Sequence, residues 1–132
     1  MKANFGILVT HGNLGDELIQ TIKMISGQVN NMIAVSNTDL SLRGLISRLD
    51  ERIAAVQDKA VFILVEMIGG SPYMAGRKVA AKYENVYFIS GVNIPMLLSF
   101  NTKSGHMPAE ELADLLKKDA IRGIECIKSV GE

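Results

Sequence analysis

Two short segments hold residue types that could transfer a chemical group. His11 follows an apolar run and precedes Gly12, and Glu66 follows a second apolar run. A neutral imidazole has a lone pair on one ring nitrogen, and a carboxylate next to the other nitrogen fixes the tautomer and stabilises developing positive charge. The pattern predicts His11 as a nucleophile and Glu66 as its carboxylate partner. The alternative is a surface histidine with no role.

The second segment continues into a turn of two glycines followed by Ser71 and Pro72. Serine is a preferred residue just before a helix, and proline is common at the first helical position. A helix that starts there would direct free backbone N–H groups outward, where they attract phosphate. The sequence therefore predicts a phosphate-binding turn made of Gly69, Gly70 and Ser71. An ordinary helix-capping turn is the alternative, and neither a Walker loop nor a dinucleotide fingerprint is present.

The remaining reactive residue types are interpreted as structural. His106 lies in a polar stretch and is expected to be a solvated loop residue. Cys126 has no second cysteine to pair with and is expected to be a small buried hydrophobic residue. The seven methionines are interpreted as core residues. A metal site made of His11, Glu66 and His106 is conceivable, but no metal-binding spacing supports it, so we expect neither a metal nor a cofactor.

Length and composition favour one globular domain over residues 1–132. Apolar residues make up 48% of the chain and charged residues 21%, which excludes a disordered protein. Fourteen basic and fourteen acidic residues cancel, so no net field attracts nucleic acid or an anionic membrane. The longest apolar runs fall short of the ~20 residues that span a bilayer. A single cysteine and no recognisable signal peptide favour the cytoplasm.

Strand and helix patterns alternate along the chain. Strands are predicted over residues 5–10, 32–35, 61–65 and 86–89; helices are predicted from residue 14 to a stop at Gly27, over 42–56, from near Pro72, and from Pro108 to Gly123. A last strand is predicted over 124–130. Four strand-helix units predict an α/β doubly wound, three-layer fold with a mostly parallel sheet. Ligands of such sheets bind at the carboxyl ends of the strands, where His11 and Glu66 become neighbours if the strand order begins 2-1-3.

The same segments resemble the mannose/fructose-type IIA domain of the bacterial sugar phosphotransferase system. The resemblance rests on three motifs in order: ILVTHG at residues 7–12, GGSP at 69–72 and GVNIPML at 91–97. Each motif alone is common, but the three together, each at the end of a predicted strand, are specific. The likeness covers essentially the whole chain.

The resemblance implies a cytoplasmic phosphocarrier. In this family a histidine, here His11, accepts a phosphoryl group from phospho-HPr and passes it to a IIB domain, which phosphorylates a sugar that enters through membrane IIC and IID subunits. The family fold has four parallel strands in the order 2-1-3-4 and a fifth, antiparallel strand that two chains of a homodimer exchange. Residues 124–130 would be that exchanged strand.

One residue departs from the family pattern. Many members have Asp where this chain has Glu66, whose side chain is one methylene longer. We expect Glu66 to reach the far ring nitrogen of His11 with a modest rotamer change. Residues 100–107 are also less typical of the family than the motifs around them.

Two other functions fit the same fold. One is a regulatory interaction module that is controlled by phosphorylation of His11 and has no part in transport. The other is a small-molecule binding protein, which would have a deep apolar pocket at the point where the strand order reverses.

Overall fold

Four strands and five helices make up the part of the chain that the computed structural model describes, residues 3–128. The strands are β1 (Asn4–Thr10), β2 (Met32–Ser36), β3 (Ala60–Val65) and β4 (Val86–Ser90). The helices are α1 (Leu14–Ser26), α2 (Leu42–Ala54), α3 (Gly70–Ala80), α4 (Ile94–Lys103) and α5 (Ala109–Arg122).

The sheet is parallel throughout, with strand order β2-β1-β3-β4. Val9 of β1 is in register with Val35 of β2 on one side and with Val65 of β3 on the other. All six residues of β3 are buried, as a central strand covered on both faces requires. The predicted fold class and strand order are confirmed for these four strands.

Helices cover both faces of the sheet. One apolar layer lies under α2 and α3, and it includes Leu45, Leu49, Ile53, Ala75 and Val79. The other lies under α1, α4 and α5, and it includes Ile22, Met96, Leu97, Phe100, Leu112 and Leu116. Each layer buries the apolar side of its helices, which is the main stabilising contribution to such a fold. The three-layer prediction is therefore confirmed.

Helix α4 is absent from the sequence prediction. Its residues Met96, Leu97 and Phe100 are buried and most of the others are half-buried, so the helix lacks the wide polar face that makes a helical period visible. A weaker signal was present, because Asn93 caps the helix by accepting from the backbone N–H of Met96 at 3.0 Å.

The polar stretch around His106, residues 101–107, is part helix and part turn. Residues 101–103 end α4, and the following turn carries the buried Ser104. The side-chain amide of Asn4 donates to the backbone oxygens of Ser104 at 2.9 Å and of Met107 at 2.7 Å. These hydrogen bonds connect the turn between α4 and α5 to Asn4 at the start of β1.

The C-terminal strand does not form within the described residues. Residues 124–128 have no regular secondary structure and are exposed, and residues 129 and 130 of the predicted strand lie outside the described part of the chain. A strand forms only when its backbone pairs with another strand, and the predicted pairing strand belongs to a second chain. Within residues 3–128, no helix combines the length and the apolar character that crossing a membrane requires.

Candidate functional site

The two predicted reactive residues lie side by side at the carboxyl edge of the sheet. Strands β1 and β3 are direct neighbours, and His11 and Glu66 are the first residues after them. The chain turns away after His11 because the hydroxyl of Thr10 accepts from the backbone N–H of Gly15 at 2.8 Å, which fixes the start of α1. Topology thus brings together two residues that are 55 positions apart in sequence.

The carboxylate of Glu66 contacts both the backbone and the ring of His11. The backbone N–H of His11 donates to both carboxylate oxygens, each at 3.1 Å. Ring atom Nδ1 lies 3.2 Å from Oε1 of Glu66. A carboxylate only accepts, so this neighbour favours the tautomer with the proton on Nδ1 and the lone pair on Nε2. The expected reach of the longer Glu66 side chain is seen in this geometry.

The ring of His11 remains accessible. Half of its side-chain surface is exposed, whereas the Glu66 side chain is 15% exposed. The ring nitrogen without the carboxylate neighbour can therefore meet another molecule while the other nitrogen stays held.

The two glycines place the start of α3 against the ring. A Cβ atom at Gly70 would lie 3.0 Å from Cε1 and 3.2 Å from Nε2 of His11. Gly69 and Gly70 have φ values of 96° and 85°, a region that other residues rarely adopt. The backbone conformation thus favours glycine at residue 70, and any Cβ there would make a tight contact with the imidazole.

Helix α3 begins two residues earlier than the sequence predicts. Gly69 is the residue before the helix, so Ser71 lies in the first turn and is not the capping residue. Both residues before Ser71 are glycines with positive φ. Among the described residues no side chain caps this helix, and its first N–H groups have no partner within the helix.

Asn37 also lies at this site, and the sequence patterns did not predict it. It follows β2, and its side chain connects the loop after β1 with α3: Oδ1 accepts from the backbone N–H of Gly12 at 3.2 Å, and Nδ2 donates to Oγ of Ser71 at 2.9 Å. Applying the carboxyl-end rule to β2, the neighbour of β1 on its other side, would have pointed to this residue.

The second histidine lies away from this group. His106 is in the turn after α4, which the Asn4 side chain ties to the opposite edge of the sheet. The conceivable metal site of His11, Glu66 and His106 is therefore not assembled. Across residues 3–128, no three His, Cys, Asp or Glu side chains are grouped so as to hold a metal ion.

Two burial predictions are wrong. Cys126 is exposed, because the segment after α5 does not pack on the sheet. The methionines are not all core residues, since Met67 is 53% exposed and Met74 is 49% exposed. Four exposed apolar residues adjoin the site segments and are called the apolar rim below: Leu14, Met67, Ile68 and Met74.

Comparison with known proteins agrees with these motifs. Residues 6–117 match the family described as PTS system fructose IIA component, where PTS is the phosphotransferase system. The chain is 28% identical over 130 residues to the "PTS system mannose-specific EIIAB component" of Escherichia coli K12. That match takes in 93% of this chain but only 39% of the relative's length.

Two further proteins cover nearly the same region. The "PTS system fructose-specific EIIA component" of Bacillus subtilis is 28% identical over 113 residues, which are 84% of this chain and 77% of the relative. The mannose/sorbose-specific IIA subunit from Enterococcus faecalis has the same fold, with a TM-score of 0.84 at 20% identity over 100% of this chain and 99% of that one. The resemblance drawn from the three motifs is confirmed, and the chain belongs to the mannose/fructose-type family of IIA components of the sugar phosphotransferase system.

Proposed function

We propose that this chain is a cytoplasmic phosphocarrier that accepts a phosphoryl group on His11 from phospho-HPr and passes it to a IIB domain. The IIB domain would phosphorylate a sugar that enters through membrane IIC and IID subunits. The main support is the His11 ring, whose Nδ1 lies 3.2 Å from Glu66 while Nε2 faces the start of α3. Residues 1–132 would act as one domain.

The proposed nucleophile is Nε2 of His11. Its lone pair forms the new N–P bond as the P–N bond to the donor histidine breaks, and that electron pair returns to the donor nitrogen. The phosphoryl group moves through a loose transition state, so the enzyme mainly positions and stabilises charge. Glu66 offsets the positive charge that grows on the ring of His11, and the proton stays on Nδ1 throughout.

The start of α3 would hold the phosphoryl oxygens. Gly69 sets the turn, and the backbone N–H groups of Gly70 and Ser71 lack partners within the helix. The hydroxyl of Ser71 is a further donor. Oriented donors and the positive end of the helix stabilise the charge of the transferred group.

The partners that exchange the phosphoryl group are proteins, and the surface around His11 suits them. The ring is half exposed, and the exposed residues of the apolar rim lie close in sequence to the site segments. Exposed apolar side chains next to a reactive residue are typical of a protein-binding surface. HPr and the IIB domain would each dock over this rim in turn.

The test is a labelling experiment on the full chain. Incubation with labelled phosphoenolpyruvate, Enzyme I and HPr is expected to label the wild type and His106→Ala, but not His11→Ala. The His106 variant is a matched control, because it removes the other histidine, which lies at the opposite edge of the sheet. A wild-type chain that takes up no label, or a His11→Ala chain that does, contradicts the proposal.

A second stage tests transport against a purely regulatory role. The labelled chain is mixed with a mannose-type IIB domain, and the label is expected to move to IIB. Retention of all the label on His11 contradicts the transfer step and leaves the regulatory module as the better hypothesis.

We further propose that the chain forms a homodimer in which residues 124–130 of each copy pair, antiparallel, with β4 of the other. Strand β4 is at the edge of the sheet and all five of its residues are only half-buried. Unpaired strand edges readily accept another strand. The exposed apolar residues Ile124 and Ile127 would be covered by this exchange.

A further inference from the structure

Asn37 contacts the His11 segment, as Glu66 and the start of α3 do. Its side-chain oxygen accepts from the backbone N–H of Gly12, and its side-chain nitrogen donates to Oγ of Ser71. One amide group thus spans the distance between the loop after β1 and the first turn of α3.

The bridge is anchored by the backbone of Asn37. Its backbone N–H donates to the carbonyl of Thr10 at 3.1 Å, and its carbonyl accepts from the backbone N–H of Leu40 at 3.1 Å. The residue is half-buried. Because both backbone groups are bonded, the side-chain amide is fixed relative to the carboxyl end of β1.

The direction of these hydrogen bonds decides what Ser71 can do. A backbone N–H only donates, so the oxygen of the Asn37 amide must face Gly12 and the NH₂ group must face Ser71. Ser71 therefore accepts from Asn37 with a lone pair, and its own hydroxyl proton is left to donate to another group.

The same bonds determine which backbone donors are free. Glu66 engages the N–H of His11, and Asn37 engages the N–H of Gly12. The Ser71 hydroxyl and the first amides of α3 are among the donors that remain for an anion beside Nε2.

We infer that Asn37 is a positioning residue for phosphoryl transfer: it orients the Ser71 hydroxyl so that its proton donates to the phosphoryl group on His11. This inference rests on the proposed function of His11. Asn37 would act through its contacts with Gly12 and Ser71, not on the reacting atoms themselves.

The decisive variant is Asn37→Asp, which keeps the size and shape of the side chain. One carboxylate oxygen still accepts from Gly12, but the other now accepts the hydroxyl proton of Ser71. We expect kcat for phosphoryl acceptance to fall by about 10- to 100-fold, as for the loss of a hydrogen bond to a charged group. The KM for phospho-HPr is expected to change by less than about threefold, because the apolar rim is intact.

A double-mutant cycle separates this role from general packing. Asn37→Ala should lower kcat when Ser71 is present, but it should have little further effect on kcat in a chain that already has Ser71→Ala. The two effects on kcat should differ by a factor of at least about three. Asn101→Ala is the matched control, because Asn101 also bridges two segments through Ser26 and Gln28, away from the site. It should leave kcat unchanged.

The outcomes distinguish the inference from the proposed function. A wild-type chain that is not labelled overturns both. A labelled wild type together with an Asn37→Asp chain of equal kcat, or additive effects of Asn37→Ala and Ser71→Ala, overturns the Asn37 inference alone. Thermal unfolding is measured for each variant. If Asn37→Ala does not fold, the inference is tested with the isosteric Asn37→Asp alone.

Discussion

Glu66 holds His11 at two points, with both carboxylate oxygens 3.1 Å from its backbone nitrogen and Oε1 3.2 Å from Nδ1 of the ring. A single side chain therefore fixes both where the β1 strand ends and how the ring is turned.

The charge of Glu66, more than its length, should matter for transfer. Glu66→Gln keeps an oxygen that accepts from the backbone of His11 but removes the negative charge beside Nδ1. We expect the rate of phosphoryl acceptance from phospho-HPr to fall about tenfold or more. Glu66→Asp keeps the charge, and its rate is expected to stay within about threefold of the wild type. Equal rates for Glu66→Gln and the wild type would show that the carboxylate has no electrostatic role.

Gly70 should tolerate no side chain. In Gly70→Ala the new Cβ would meet Cε1 and Nε2 of His11, and the φ of 85° disfavours alanine. We expect a loss of about 1–2 kcal/mol in the free energy of unfolding from the backbone conformation, and loss of phosphorylation from the covered nitrogen. Denaturant unfolding and the labelling assay measure the two effects.

Gly27→Ala is the control for backbone strain. Gly27 has the same φ of 85°, but a Cβ there would meet no atom within 4 Å. This variant should lose similar stability and keep full labelling. If both variants are labelled equally, the ring is not covered from residue 70.

The sequence predicted the parts of the fold that depend on local patterns. Strand β3 is buried at every residue and therefore appears as an unbroken apolar run. Helix α1 ends at Gly27 in the left-handed conformation, as its sequence signal indicates. The proximity of His11 and Glu66 followed from strand order and the carboxyl-end rule together.

Some of the features that the sequence did not reveal depend on contacts between distant residues. Asn37 is a polar turn residue whose partner Ser71 is 34 positions away, and nothing local marks the pair. Ile25 lies three residues after the buried Ile22, a spacing that places both on one side of α1, but Ile25 is 58% exposed. The helix therefore packs along a narrower face than this spacing indicates.

A second polar cluster should make stability depend on pH. Asp50 accepts from Nζ of Lys82 at 2.7 Å and from the hydroxyl of Tyr83 at 2.8 Å. Burial raises the pKa of the Asp50 carboxyl, but the hydrogen bonds from Lys82 and Tyr83 outweigh it, so the pKa lies below its ordinary value of 3.8. The hydrogen bond to Asp50 raises the pKa of Lys82 above 10.5 and that of Tyr83 above 10.0.

The sign of each pKa shift gives the expected profile. The lowered pKa of Asp50 stabilises the fold above pH 3.8, and this contribution is lost as the pH falls through the lowered pKa. The raised pKa values of Lys82 and Tyr83 stabilise the fold below about pH 10, and this contribution is lost as the pH rises through them. The difference in unfolding free energy between the wild type and Asp50→Asn should thus be flat from about pH 5 to 9 and shrink at both ends. A constant difference at all pH values would rule out this coupling.

The proposed homodimer should depend on the exposed isoleucines after α5. Ile124 is 74% exposed and Ile127 is 60% exposed, and burying one isoleucine contributes about 1.5–3 kcal/mol. We expect the double variant Ile124→Asp, Ile127→Asp to weaken dimerisation at least about tenfold in sedimentation equilibrium. Ile25→Asp is the matched control, because it changes an isoleucine of similar exposure on α1, outside the proposed interface.

The exchange is rejected if the wild type sediments as a monomer at every concentration, or if the double variant dimerises as tightly as the wild type. Because the exchange involves β4 and residues 124–130 but not the His11 segment, the monomeric variant should still be labelled, so labelling and assembly can be judged separately.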